Sequence, residues 1–409
     1  MSNLIRRITT TASSSPVFRR AAGDYVLKCL KGLGVALKAY IVEKTPANLG
    51  EVSYKLDKLW QNLFNSDKEI PKAKKCELAE EFLIQPELLN NLLYVFRMVR
   101  LSDKAKIRDL FRFTQLWTSN ESAESSMPRV KAARFTTCAR FGQQLFVVRN
   151  EFFEIINEGY DETGSAGIYH DLIEIFVGDD KCLSTIFADT GHNAKGDKVR
   201  EDGCFWSIFD RLLISSSEME QHDVLFHTVK TLEMILECSH VTVRMFLRAN
   251  WDRFQCAMNK LMLSTNFFIQ RKSLDIMYNI FINAHYSELR ERWMWDMENF
   301  RRIVRILQNC RRDVRLAASK IFAIFLEHPN AHPEVGNFVG KNIYRLIEHH
   351  LGMVQLHGYD GSQEDVDDAY CARVIHKIAM KRYQRPLTKE EMDSYEEEQE
   401  AFEKIEDRE

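Results

Sequence analysis

Apolar residues recur every three or four positions along most of this chain, the spacing that lines one side of an α-helix. Val52, Leu56, Leu59, Trp60 and Leu63 form one such stripe, and Tyr25, Leu27, Leu30, Leu33, Val35 and Leu37 open an earlier one. Leu88, Leu89, Leu92, Leu93, Val95 and Phe96 give a wider stripe, and Ile107, Leu110, Phe111, Thr114 and Trp117 another. Between them fall turn signals at Thr45-Pro46, Ile70-Pro71, Gln85-Pro86, Leu101-Ser102-Asp103 and Ser126-Met127-Pro128. A helix after Leu101 is expected to take Ser102 or Asp103 as its cap, since their side-chain oxygens accept the orphan N–H groups of a first turn. Nowhere does a convincing run alternate apolar and polar residues as a half-buried strand would. The pattern predicts an all-α fold.

A longer period overlies the short one. Thr228–Leu236, Ser273–Phe281 and Ala318–Leu326 are offset by 45 residues. Leu232, Met277 and Phe322 share one place, then Ile235, Ile280 and Phe325, then Leu236, Phe281 and Leu326. Val229 and Leu274 form a fourth column that Ser319 breaks. A period in the forties is that of armadillo and HEAT repeats. One unit cannot bury its own stripe, so its neighbours must cover it, and the expected product is a curved helical-repeat solenoid with charged tails.

Composition supports this and narrows it. Of 409 residues, 45% are hydrophobic and 28% charged, which is globular and rich enough to bury a large core. With 17 Gly and 8 Pro, a chain of many tight β-turns is excluded. The net charge of −3 is unevenly placed: residues 1–23 carry +4 (Arg6, Arg7, Arg19, Arg20, no acid), residues 387–409 carry −8, and the body between is left near neutral. A near-neutral body argues against nucleic acid, which needs a dominant basic surface. Nine scattered cysteines without a CxxC pair read as reduced thiols rather than a disulfide framework or zinc site. No apolar run reaches the roughly 18 residues a membrane span needs, and no secretory signal is present. The first 23 residues read as a basic, disordered tail, with a mitochondrial transit peptide as the less favoured reading because the apolar side of such a helix would be thin. The solenoid is expected over 24–386, with a mobile insertion at 189–203 and an acidic loop at 357–368. Residues 387–409 read as an acidic tail, helical or disordered. A cytoplasmic monomer is expected.

A search for chemistry finds no P-loop, GxSxG or HExxH, and Gly32-x-Gly34 lacks the third glycine and the preceding strand of a dinucleotide loop. His349, His350 and His357 lack a carboxylate at zincin spacing. Cys238 and His240, two apart, do not face one another on a helix. Asp360, Asp365, Asp367 and Asp368 lack the frame of a calcium loop. No catalytic residue, cofactor or metal site is expected, and a binding role leads, ahead of an RNA-binding or hydrolytic protein.

The stretch Ser264-Thr265-Asn266-Phe267-Phe268-Ile269-Gln270-Arg271-Lys272-Ser273-Leu274, continuing through Glu298-Asn299-Phe300 to Lys341-Asn342 and Leu346-Ile347-Glu348, resembles the calcium-binding protein 39 (Mo-twenty-five) family. The likeness runs without a gap over about 204–350. It returns in an opening helix from Asp24-Tyr25-Val26 and a final one over Glu364–Pro386. The resemblance implies a non-catalytic helical scaffold that binds sterile-twenty-type kinases, or a related pseudokinase adaptor, and favours the active kinase. It implies two contact regions. A concave kinase-binding face maps to Phe267 and Arg271, with His222 where the family usually has phenylalanine and Ala284 where it has a further arginine. A pocket for a Trp-x-Phe tail maps to Val304, Lys341 and Arg345. Taken alone, Phe267 reads more readily as a core residue, and Arg271, Lys341 and Arg345 as wet surface charge; the resemblance makes core and contact equal readings for Phe267 and favours a contact role for Arg271 and Lys341. A generic adaptor with non-kinase clients is the other reading.

Overall fold

The computed structural model describes residues 16–64, 70, 72–118, 139–147, 152, 153, 155, 156, 159, 164–178, 180–187, 191, 192, 198, 199, 204–215, 222–238, 240–309, 311–328, 332–342 and 346. They divide into two compact units meeting at Asn250 and Trp251.

The first unit holds α1 (Pro16–Val42), α2 (Pro46–Phe64), α3 (Lys72–Ile84), α4 (Pro86–Phe96), α5 (Leu101–Thr118) and α6 (Ala139–Val147). It continues with α7 (Ala166–Phe176), α8 (Asp180–Ile186), α9 (Cys204–Ser215), α10 (His222–Glu237) and α11 (His240–Ala249). The second holds α12 (Trp251–Met262), α13 (Phe267–Ile282), a 3-10 turn (Ala284–Tyr286), α14 (Ser287–Met294), α15 (Met297–Leu307), α16 (Arg312–Glu327) and a helix over 333–342. The fold is all-α. Within 189–203 a two-residue antiparallel ribbon pairs Gly191 with Val199 and His192 with Lys198, too short to alter the class. Residues 1–15, 357–368 and 387–409 lie outside the described residues, and α1 already begins at Pro16.

The stripes land where the periodicity puts them, with two corrections. Val52, Leu56, Leu59 and Leu63 of α2 are buried, as are all six apolar residues named in α4. In α1 the buried line is Val26, Leu30, Leu33, Leu37 and Tyr40, whereas Tyr25 and Val35 are exposed, because a 3.6-residue turn carries those two away from the packed side. α5 begins at Leu101, so Ser102 and Asp103 lie inside its first turn rather than before it. Asp103 there is buried and accepts a hydrogen bond from Lys106 Nζ at 3.0 Å. Prolines open α2 and α4, where a missing N–H costs nothing. Gly32 and Gly34 sit inside α1.

The 45-residue period is visible as structure. α10, α13 and α16 each span 16 residues and begin 45 apart, at 222, 267 and 312. All twelve residues of the four columns are buried, Ser319 included. Its hydroxyl donates to Arg315 O at 2.9 Å, so a polar residue occupies the fourth column at no cost in lost hydrogen bonding. In the second unit α13 and α15 both pack on α16. Trp293, fully buried, lies 4.7 Å from Phe281 and 5.2 Å from Phe325 between ring centroids. Phe300 ties in Phe322 at 5.7 Å, Phe325 at 5.3 Å and Phe338 at 5.4 Å. One aromatic core therefore ties together five helices, α13, α14, α15, α16 and the one over 333–342.

Candidate protein-interaction site

The start of α13 is fixed by its own sequence. Asn266 stands before the helix in extended geometry, and its Oδ1 accepts from the N–H groups of Phe268 (3.0 Å) and Ile269 (3.4 Å). That satisfies two orphan donors of the first turn. Ser264 Oγ in turn accepts from the Asn266 N–H at 3.1 Å. With the helix start pinned, Ile269, Ser273, Leu274 and Met277 face inward, while Phe267 and Arg271, one turn apart, face solvent.

A second tie runs through the core edge. Gln270, buried, donates through Nε2 to Met262 O at 3.0 Å, and its Oε1 accepts from Asn309 Nδ2 at 3.0 Å. Asn309 Oδ1 then accepts from the Arg311 N–H at 2.9 Å. This chain of amides locks the entrance to α16 against α13. It carries Arg311 over the Phe267 ring, guanidinium carbon 4.1 Å from the centroid. Phe267 remains 44% exposed, so the ring is a surface group with one side occupied by a cation. Arg271 lies beside it, with Nε 3.8 Å from Asp275 and Nη1 3.8 Å from Asp313. Both contacts are long and solvent-exposed, worth little as stabilisation. They orient the guanidinium while leaving it wet. The product is an aromatic ring flanked by two guanidinium groups on a rigid helix, the composition of an energetically productive protein contact.

Of the residues expected in the concave face, the structure brings Phe267 and Arg271 together and settles Phe267 as surface rather than core. His222 is exposed and opens α10, as Phe267 opens α13 one repeat later. Ala284 is exposed at the first position of the 3-10 turn, where Asn283 Oδ1 accepts from the His285 N–H at 3.0 Å. In the expected tail pocket, Val304 is half-buried on α15 and Lys341 is exposed on the 333–342 helix. Those two helices are joined by Phe300–Phe338 and by Arg301 Nη2 with Glu334 at 3.8 Å. Arg345 lies outside the described residues.

Sequence reasoning missed Arg311 and Asp313. The signal was present: 45 residues past Asn266 and Phe267 stand Arg311 and Arg312, so the next repeat delivers its helix start to the preceding one.

The titratable groups in the first unit serve structure. Burial pushes the Cys238 thiol up to about 12, and its Sγ donates to Met234 O at 3.1 Å. A thiol so held has no nucleophilic thiolate to offer. Thr231 Oγ1 gives its proton to His227 O at 2.8 Å, so it accepts from His170 Nδ1 at 2.9 Å, which places the imidazole proton on Nδ1. Burial lowers the pKa of His170 against the pull of Asp171 and Glu174. Gly167 permits the approach of α7 to α10: a Cβ there would stand 3.1 Å from the His227 ring. Arg108 and Arg112 of α5 bind Asp171 at 2.9 and 3.2 Å, and Arg112 also pairs with Glu174. Among the described residues no cluster of His, Cys, Asp and Glu could hold a metal ion, and no helix is long and apolar enough to cross a membrane.

Comparison with known proteins places the chain in a family. The sequence model of a family described as Mo25-like matches residues 19–374. "MO25-like protein 3" of Caenorhabditis elegans is 36% identical over 286 residues, 70% of this chain and 84% of that protein. Its namesake in Caenorhabditis briggsae is 35% identical over 305 residues, 74% of this chain and 61% of that one. The human "Calcium-binding protein 39-like" is 23% identical over 131 residues, 32% of this chain and 39% of that protein.

Proposed function

This chain belongs to the Mo25-like family, and from that premise we propose that it is a non-catalytic scaffold that binds a sterile-twenty-type kinase or pseudokinase through the α13 face and favours its active arrangement. The observation that carries the reading is the exposed Phe267 ring, stacked by Arg311 and flanked by Arg271. Nothing in the packing of α13 requires a phenylalanine there. Its inner side is filled by Ile269, Leu274 and Met277.

The mechanism is a population shift. An active kinase pairs its αC glutamate with its β3 lysine. A rigid surface that touches αC in the inward position alone lowers the free energy of that state by its differential affinity. Lys341 and Val304, with Arg345, form the second contact, taking a Trp-x-Phe tail whose carboxylate suits the cations. Two contacts on one partner raise the effective concentration of each. The protein acts as a monomer in the cytoplasm and needs no cofactor.

The deciding experiment measures the activity of such a kinase with added protein. Wild type is expected to raise it saturably, and Arg271→Ala to lose most of the effect. Equal activation by Arg271→Ala removes the α13 assignment. For the second contact, a peptide ending in Trp-x-Phe should bind wild type and fail to bind a Lys341→Ala, Arg345→Ala double variant. Capture of clients with no kinase among them favours a general adaptor.

A further inference from the structure

Arg302 of α15 is a half-buried guanidinium held by a neutral oxygen. Its Nη1 donates to Asn299 Oδ1 at 2.6 Å. Asn299 is fully buried, and its Nδ2 donates to Trp293 O at 2.9 Å. The same Oδ1 also accepts from Asn259 Nδ2 of α12 at 3.1 Å, so both of its lone pairs are taken. Burial lowers the pKa of Arg302, Asp296 and Glu298 pull it up, and Arg305 pushes it down again. Those two acids are engaged elsewhere. Asp296 Oδ1 accepts the Glu298 N–H at 3.0 Å, and Glu298 pairs with Arg301. Arg305 is exposed one turn further along α15. Among the described residues neither Arg302 nor Arg305 has a carboxylate at ion-pair distance.

Other cations of the second unit are matched. Arg271 lies by Asp275 and Asp313, Arg292 holds Asp252 at 2.8 Å, and Arg311 lies on the Phe267 ring. A cation taken partly out of water against a neutral oxygen bears a desolvation cost that an ion pair would offset. A second guanidinium one turn away adds repulsion. An anion bridging the two relieves both, and four N–H groups of Arg302 remain to meet it.

The chain itself carries such an anion. Residues 251–342 hold 14 Lys and Arg against nine Asp and Glu, whereas residues 387–409 hold three against eleven, with Glu396, Glu397 and Glu398 consecutive. Both stretches fall in the unit Trp251–Glu409. The 44 residues 343–386 would reach ~66 Å even if wholly helical, and α15 is only ~16 Å long, so tether length does not limit the contact. A tethered segment also meets its site at an effective concentration on the order of millimolar.

We infer that the acidic segment 387–409 docks on the solvent side of α15, with the run Glu396-Glu397-Glu398 seated on Arg302 and Arg305. It shields these two guanidinium groups from other acidic ligands until one displaces it. The α13 face takes no part, so the inference stands or falls independently of the proposed kinase binding.

The test uses the full chain carrying Arg305→Lys, which keeps the charge and supplies an amine. A zero-length carbodiimide then joins that amine to any carboxylate in contact with it, and mass spectrometry reads the linked peptides. The expected product is a monomer in which the peptide containing position 305 is joined to one from 387–409. Its yield should fall several-fold in about 0.5 M salt, where the Debye length is only a few ångströms. It should fall likewise when Glu396→Gln, Glu397→Gln and Glu398→Gln are combined. No such link, or a link found in covalent dimers alone, overturns the inference. Cleavage of the segment by a glutamate-specific protease gives a reading without the amine. Arg302→Glu and Arg305→Glu should each speed it several-fold. Position 305 is exposed, so Arg305→Glu keeps the test valid even where Arg302→Glu lowers Tm. Equal cleavage of wild type and Arg305→Glu overturns the contact.

Discussion

In the proposed contact, Arg271 and Phe267 divide the labour that a protein surface asks of single residues. The ring supplies area that water solvates poorly, and the guanidinium supplies directional donors to a carboxylate. Truncating either is expected to weaken partner binding by about 2 kcal/mol, some thirtyfold, while leaving Tm within a degree or two, because neither is buried. Arg311→Ala should cost less, about 0.5–1 kcal/mol, since it removes a stacked cation rather than the ring. His170 makes a different prediction. Its pKa is lowered in the folded chain by burial, so the unfolded chain takes up the proton first. Stability contributed by the neutral imidazole is complete above about pH 6.5, and is lost as pH falls through that value toward the folded pKa. Thermal melts of wild type should therefore drop in Tm on acidification from pH 7.5 to 5.5, and His170→Gln should flatten that dependence. An identical slope in the variant would assign the effect elsewhere.

Helices place these residues, and the placement depends on how each helix begins. Asn266 sets the first turn of α13, so Asn266→Ala is expected to cost about 1 kcal/mol by denaturant unfolding. It should also weaken partner binding, because Phe267 is the first residue after the cap. Asn266→Asp should keep both. A cap variant that destabilised the chain but bound its partner normally would show that the position of Phe267 does not depend on the turn. The amide chain Met262–Gln270–Asn309–Arg311 acts between helices. Such buried networks are costly when half satisfied, so Gln270→Leu strands Asn309 and the Met262 carbonyl at once. Trp293 is the test of the core behind the face: Trp293→Ala should destabilise by about 3–5 kcal/mol, measured by urea unfolding.

For the molecule as a whole, the exposed Arg271 and Arg311 of the proposed contact predict a salt-sensitive association. Raising ionic strength from 0.05 to 0.3 M should lower the on-rate several-fold with little change in off-rate, because exposed charges steer encounter more than they hold the complex. A salt-independent on-rate would mean that Arg271 and Arg311 do not face the partner's charge.

What could be read from the residues themselves is the helical class, the core columns and the 45-residue register, because both periods follow from local geometry: 3.6 residues per turn and one unit per stacked layer. Resemblance to related chains singled out Phe267 and Arg271. It could not say that Phe267 is exposed, since a phenylalanine at the head of an amphipathic helix reads equally well as core. Packing decided that, by filling the inner side of α13 with other residues and turning the ring outward. Packing also brought Arg311 onto the ring, and it put Tyr25 and Val35 in water. Such choices depend on contacts between segments tens of residues apart, for which the hydrophobic pattern of any one helix carries no information.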